Sequence, residues 1–353
     1  MDLFFTKEQK WLSLWDKFLK DNPRGHNSQY SAWLQSYTKY GFDYRILLLV
    51  ENDTIIGGCG LIIPKLFFFK FVVVPAGPIV HASYEHTLNT ILTEINQFAI
   101  SISACYLQIT LPKFSQNLDS DYTISVLNGD SFYHSGLIGT KFKYVIAADG
   151  FRFVDLTDKN PQKKYSTNTK RNIKKALDAK LEFDFARDED EIREAYQCII
   201  QNAKRIGYSV RSFDDFETTL KKLIDSDQAI FAVCKFDKKI IGSLFLINCG
   251  QRFTYISGGT DRHYNHFKVG HFLHHKIIEL SMECNYAAYD ISVGGDTGVL
   301  RFKEGFGGKH LTFIGTKYWI LKPILFKIFL FFEQYFKPYK ATVAALLSKL
   351  NKK

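Results

Sequence analysis

"NDTIIGGCGLII" (Asn52 to Ile63) and "DKKIIGSLFLIN" (Asp237 to Asn248) set an alternating apolar strand around the same Ile-Ile-Gly, each after a charged turn. The likeness continues downstream. "LIGTKFKYV" (Leu137 to Val145) is echoed by "FIGTKYWIL" (Phe313 to Leu321). An apolar helix running into a strand lies between the members of each pair: Thr87 to Pro112 in the first half, Gly270 to Val293 in the second. Matches in one order, at offsets of about 175 to 185 residues, indicate a duplicated α/β unit of hairpin, helix, strand and closing strand.

The halves meet near Gly150 to Pro161, which predicts one domain over 1–150, a second over 151–315 and a tail over 316–353. Mixed sheets flanked by helices suit this order of elements. Two similar lobes also predict a cleft between them, a common place for a ligand.

At 353 residues, with 46% hydrophobic and 23% charged residues, the chain has the balance of a soluble globular protein. "MDLFFTKEQKWL" has charges where a secretory signal needs an apolar run. The six cysteines form no CxxC pair and are expected to be reduced, as in a cytoplasmic protein. The net charge of +10 is concentrated: from Thr316 onward eight lysines face a single acid, Glu333. A second basic run, Lys159 to Lys180, holds eight Lys/Arg against one Asp. Either run could face phosphates, an anionic membrane or only solvent.

Several stretches bear chemistry. In "FTYISGGTDRHYNHFKVGHFLHH" (Phe253 to His275), a strand carrying Tyr255 is expected to break at Gly258 and Gly259 and lead through a polar loop to a helix starting near Lys268 and Gly270. Such a turn can offer free N–H groups to a phosphate or carbonyl oxygen. Its five histidines lack carboxylates at ligand spacing, so no metal is expected; a surface cluster is, with room for one member near substrate. "STNTKRNIKKALDAKL" (Ser166 to Leu181) predicts a helix with a Ser or Thr N-cap, Ile173, Ala176, Leu177 and Leu181 on its inner face, and Lys170, Arg171, Lys174 and Lys175 outside. That basic face suits a nucleotide or RNA donor, or plain solvation. Tyr208 and Arg211 fall in a loop between two helices, where an arginine either binds an anion or caps structure. No nucleophile-elbow, Walker or dinucleotide motif is present. Direct acyl transfer to an amine, which needs no covalent intermediate, remains open.

With the duplication, "YISGGT", "YDISVGGD" (Tyr289 to Asp296) and "RFKEGFGG" (Arg301 to Gly308) in order, the chain resembles the FemABX family of tandem-GNAT aminoacyltransferases. The resemblance implies an α/β fold of two GNAT-like domains. It implies transfer of an aminoacyl group from aminoacyl-tRNA to a peptidoglycan precursor, with no bound cofactor. By resemblance Lys303 with Phe302 is the catalytic pair, Tyr255 and Arg211 contact substrate, and Lys39 matches an early lysine. The chain departs from the family at the end of the first-domain strand, where Asp-Pro is usual and Thr110 and Pro112 stand without the acid, and at Asp215 and Phe216, where a tyrosine is expected. The coiled-coil arm of some members is missing. These departures bear on the acceptor more than on the fold. Acyl-CoA as donor, and a non-catalytic RNA- or lipid-binding protein, are the alternatives.

A fixed cation over the charge that develops when an amine attacks an ester is worth a few kcal/mol. The expected setting is a turn that Phe302 and Phe306 anchor in the core, with Lys303 held over the reacting group and the glycines admitting substrate to the backbone; the plain alternative is a helix-to-strand turn with an exposed lysine. In the tail, the apolar run from Tyr318 to Phe332 is too short and too charged to span a bilayer. Ile324, Leu325, Ile328, Phe331 and Phe332 can share a face for peripheral contact with an anionic membrane through residues 318–353. The competing expectation is that this helix packs back on the core.

Overall fold

The computed structural model describes residues 1–112, 142, 144, 145, 148–158 and 160–336. Lys159, most of "LIGTKFKYV" and the tail beyond Phe336 lie outside the described residues. The first lobe runs β1 (Asp2–Thr6), α1 (Gln9–Asp21), α2 (Ser31–Gln35), β2 (Asp43–Glu51), β3 (Thr54–Ile63), β4 (Lys65–Leu66), β5 (Phe69–Val74), β6 (Ile79–Val80), α3 (Leu88–Ser101) and β7 (Tyr106–Leu111). The second runs β8 (Gly150–Asp155), α4 (Thr167–Asp178), β9 (Glu182–Phe185), α5 (Glu189–Ile206), α6 (Phe213–Asp225), β10 (Ala229–Phe236), β11 (Lys239–Asn248), β12 (Phe253–Thr260), α7 (Val269–Glu283), β13 (Ala288–Asp290), α8 (Thr297–Glu304) and β14 (Lys309–Thr312). Strand β15 (Gly315–Ile320) and helix α9 (Pro323–Phe336) follow.

The repeat shows in backbone detail. The β2–β3 turn is Asn52-Asp53 and the β10–β11 turn is Asp237-Lys238, all four at positive φ. Such two-residue turns match the twist of the strands they join. Both hairpins then slip register at the second isoleucine of Ile-Ile-Gly: Val50 faces Ile55 while Leu49 faces Gly57, and Lys235 faces Ile240 while Cys234 faces Gly242. In each lobe a helix carries the chain to a parallel strand, α3 from β5 to β7 and α7 from β12 to β13.

The closing strands differ from expectation. β15, the echo expected to complete the second sheet, pairs antiparallel with β7 in the first, giving the order β1-β2-β3-β5-β7-β15. The second sheet is β14-β8-β13-β12-β11-β10-β9. The segment from 316 therefore begins as a strand of the first sheet, because Trp319 and Tyr318 find apolar partners there.

The seam between the lobes is filled. One apolar cluster joins Trp15, Leu34 and Phe71 to Phe216, Phe231 and Phe245. Tyr30 donates to the Asn248 carbonyl (2.5 Å), and buried Arg252 donates to the carbonyls of Pro23 (2.8 Å) and Gly25 (2.6 Å) while lying 4.6 Å from the Phe151 ring. At the edge of the seam a cavity of about 430 Å³ opens among α1, α2 and α6. None of the expected site residues lines it. Helices α5 and α6 are joined directly by residues 207–212, with no coiled-coil arm. Asp188 caps the first, acidic turn of α5, and Gly207 (φ +87) ends it.

Candidate active site

Parallel pairing of β12 with β13 is confined to one position, Thr254 opposite Asp290. Beyond it the two strands no longer pair with each other, and the chain after β13 turns through Ser292, held at φ +69, to Asp296, which caps α8 by accepting the Val299 N–H. Lys303 rises from the last turn of α8. Its ammonium donates to the carbonyls of Ser292 (3.1 Å) and Gly294 (2.6 Å) and lies 5.5 Å from the centre of the Tyr255 ring.

Lys303 is not the exposed lysine of a plain turn; it is 2% exposed. Burial pulls its pKa down to about 8, with Asp290 opposing that shift and Arg152 adding to it. Asp290 is itself buried. It accepts N–H groups from Arg152 and Ser292 (2.9 Å each), and burial raises its pKa against the nearby cations. Arg152, on β8, completes the group by donating to the Gly308 carbonyl and to Glu304.

Phe302 forms the apolar wall with Phe306 (5.3 Å), His271 (4.8 Å) and His274 (5.3 Å). Two histidines depart from the expected surface cluster, because α7 turns His274 and His275 inward where both are buried. His274 Nδ1 lies 2.8 Å from the Tyr289 hydroxyl, and its ring stands 5.0 Å from that of Tyr255. Burial and the charge of Lys303 hold His274 neutral, well below the usual histidine range. Burial likewise raises the Tyr255 phenol, with Tyr208 contributing from the surface.

The glycines serve packing. Gly258 and Gly259 do not break the strand; they lie within β12 opposite Leu244 and Ser243. A Cβ on Gly259 would stand 2.0 Å from the Cys198 carbonyl oxygen, so this glycine lets α5 approach the sheet, while a Cβ on Gly258 would crowd Leu244 and Tyr255. Gly305 admits the Thr169 hydroxyl, and Gly307 (φ +77) lies against Lys164. The close partners of these glycines are the start of α4 and the turn before it, not open space for substrate. Gly270 adjoins the Phe302 ring, and Lys268 (φ +61) precedes the first residue of α7.

Arg211 and Lys39 come together elsewhere. The Arg211 guanidinium lies 5.6 Å from Trp33, 5.0 Å from Tyr37, 5.4 Å from Tyr40 and 4.9 Å from Phe216, and donates to the Ser36 hydroxyl (2.6 Å). Lys39 is exposed on that Ser36–Tyr40 turn. Helix α4 has the expected cap, Ser166, and exposes Lys170, Arg171, Lys174 and Lys175. Its inner face is Thr169, Ile173 and Ala176; Leu177 is outside, 47% exposed. The helix adjoins the site wall through Asn172, 3.2 Å from His271 Nε2. Among the described residues no cluster of His, Cys, Asp and Glu could hold a metal ion.

The sequence reading missed Asp290, Arg152 and the His274–Tyr289 pair as site residues. The visible signal was "YD" at the end of an otherwise apolar strand.

The family description Acetyltransferase (GNAT) domain matches residues 163–304, which include β12, α7, β13 and Lys303. No curated protein matches the chain. Among solved structures, FemX superposes with a TM-score of 0.77 at 15% identity, covering 93% of this chain and 99% of its own. A conserved protein of unknown function from Bacteroides thetaiotaomicron gives 0.57 at 11% identity, over 90% and 99%. L-PGS from Bacillus licheniformis gives 0.53 at 12%, over 88% and 90%. The chain has the FemX-like tandem-GNAT fold.

Proposed function

We propose that this chain is an N-acyltransferase that moves an aminoacyl group from aminoacyl-tRNA to an amine of a peptidoglycan precursor. The observation that carries the reading is the buried Lys303, held at the parting of β12 and β13 by two main-chain carbonyls. The acceptor amine attacks the ester carbonyl, the C–N bond of an amide forms, and the ester C–O bond breaks. The amine gives up a proton and the ribose hydroxyl leaves with one. Lys303 supplies a cation for the charge that develops on the oxygens. Phe302, His271 and Phe306 exclude water behind it, which strengthens that interaction. Tyr255 fixes the approach of the acyl group. Tyr208, Arg211, Lys39, Lys268 and Gly270 contact substrate, and the outer face of α4 meets the tRNA phosphates.

Acyl-CoA as donor is the second reading. The match of the GNAT domain over 163–304 and the parted strands favour it. A cytoplasmic enzyme acting on a lipid-linked precursor would also gain from peripheral contact of residues 318–353 with an anionic membrane. Mass spectrometry of products, with charged tRNA and acyl-CoA offered separately alongside an amine-bearing cell-wall precursor, tests the reading. Free tRNA and a mass gain of one aminoacyl group are expected. Consumption of acyl-CoA alone would replace the first reading by the second, and no transfer from either would remove both.

A further inference from the structure

Helix α9 is apolar on both sides. Toward the first lobe it buries Phe326 and Phe329, the latter 5.4 Å from Phe69 and 4.7 Å from Phe71. Away from the lobe it presents Ile324, Ile328 and Phe331, which are 79%, 41% and 63% exposed. Their spacing of four and three residues puts them on one face. No helix among the described residues is long and apolar enough to cross a membrane.

The neighbouring hairpin has the same character. β4 and β5 are joined by the two-residue turn Phe67-Phe68, with Leu66 opposite Phe69. Tight turns of this kind favour Asn and Gly, which accept positive φ without cost. Here Phe67 takes φ +55, and both phenylalanines are exposed, 59% and 62%. Phe69 links the two elements: its ring lies 4.2 Å from Phe68 and 6.4 Å from Phe332 on α9. Exposed lysines border the surface, Lys65 at the hairpin, Lys322 just before the helix and Lys327 on it.

We propose that the Phe67-Phe68 turn and the outer face of α9 form one surface that docks on a bilayer rich in anionic phospholipid. The inference rests on the membrane contact proposed for residues 318–353 and extends it to a hairpin of the first lobe. The phenylalanines and isoleucines enter the boundary between headgroups and acyl chains, and the lysines meet anionic headgroups. A second copy seated on the same surface about a two-fold axis would set lysine against lysine, which disfavours that occupant.

The test is co-sedimentation of the full chain with vesicles of phosphatidylglycerol and phosphatidylcholine, and of phosphatidylcholine alone. The parent should pellet with the anionic vesicles at low salt and release at high salt. Phe67→Ser with Phe68→Ser, a change at exposed positions, should weaken partitioning about tenfold or more, as should Ile328→Ser with Phe331→Ser. If the hairpin pair pellets like the parent while the helix pair does not, the joint surface is overturned and the tail contact alone stands. If the parent itself fails to pellet, both fall. A concentration-dependent dimer dissolved by these same serines would assign the surface to a second copy and overturn the proposal.

Discussion

The ammonium of Lys303 donates across 2.6 Å to the carbonyl of Gly294, tying the end of α8 to the loop that leaves β13. The group proposed to act on the reaction is thus also a brace for the loop beside it.

Replacing it should be felt twice. Lys303→Met keeps most of the side chain's bulk and removes the charge. Transfer should fall about a hundredfold or more, the usual cost of one electrostatic donor. The melting temperature should also drop, by roughly 1 kcal/mol of stability, because the carbonyls of half-buried Ser292 and exposed Gly294 lose the donor that ties their loop to α8. Steady-state kinetics and thermal unfolding on the same preparation check both. Retention of more than about a tenth of the parent kcat would contradict the role.

Because burial lowers the Lys303 pKa to about 8, its charge is lost at a lower pH than a free lysine's. If the cation is the active form, transfer falls as pH rises through about 8. Lys303→Arg, if it transfers at all, should lack that limb, since a guanidinium keeps its proton. A rate that instead climbs through pH 8 would mean that the neutral amine acts, as a base.

Asp16 gives a separate pH effect at the seam. Its carboxylate accepts from the Ser31 N–H (2.7 Å) and hydroxyl and from Gln228 (3.2 Å), yet burial raises its pKa to about 6. The folded protein therefore holds this proton to a higher pH than the unfolded chain does. The stability it contributes is full below about pH 4 and is lost as pH rises through about 6, on the order of 3 kcal/mol in all. Asp16→Asn should flatten that part of the unfolding free energy against pH. An unchanged slope would show that Asp16 titrates normally.

Lys170, Arg171, Lys174 and Lys175 all point into solvent. Changing the four to Glu should weaken a charged tRNA and reduce the salt dependence of its binding, while an acyl-CoA analogue binds as before. Binding of tRNA indifferent to both salt and these changes would remove α4 from the donor site.

Gly259→Ala tests packing alone. The added methyl would meet the Cys198 carbonyl at 2.0 Å, a backbone atom that cannot swing aside. The expected loss is about 3 kcal/mol, or no folded protein. A melting temperature within error of the parent would mean that α5 can retreat from β12.

The duplication was legible because it is local: the Ile-Ile-Gly hairpins carry their turn and their register slip within a dozen residues. The partner of β15 was not, since Gly315 pairs with Leu111 and nothing in "FIGTKYWIL" names the sheet it joins. Lys303 could be singled out from its Phe and Gly neighbours. Its burial could not, because the groups around it come from distant strands; Arg152 and Asp290 meet across 138 positions. The glycines misled for a related reason. Gly258 and Gly259 look like a break in one dimension, and only the packed neighbours give them a purpose: α5 against Gly259, Leu244 and Tyr255 against Gly258.

The return of β15 to the first sheet makes the second lobe an insertion between two parts of the first. During synthesis the first sheet stays open beside β7 until Ile320 has left the ribosome, by which point all of the second lobe has been made. A second lobe excised at 150–312 keeps every strand of its sheet. A fragment ending at Pro112 exposes the edge of β7, a row of unpaired main-chain groups that invites other strands to add.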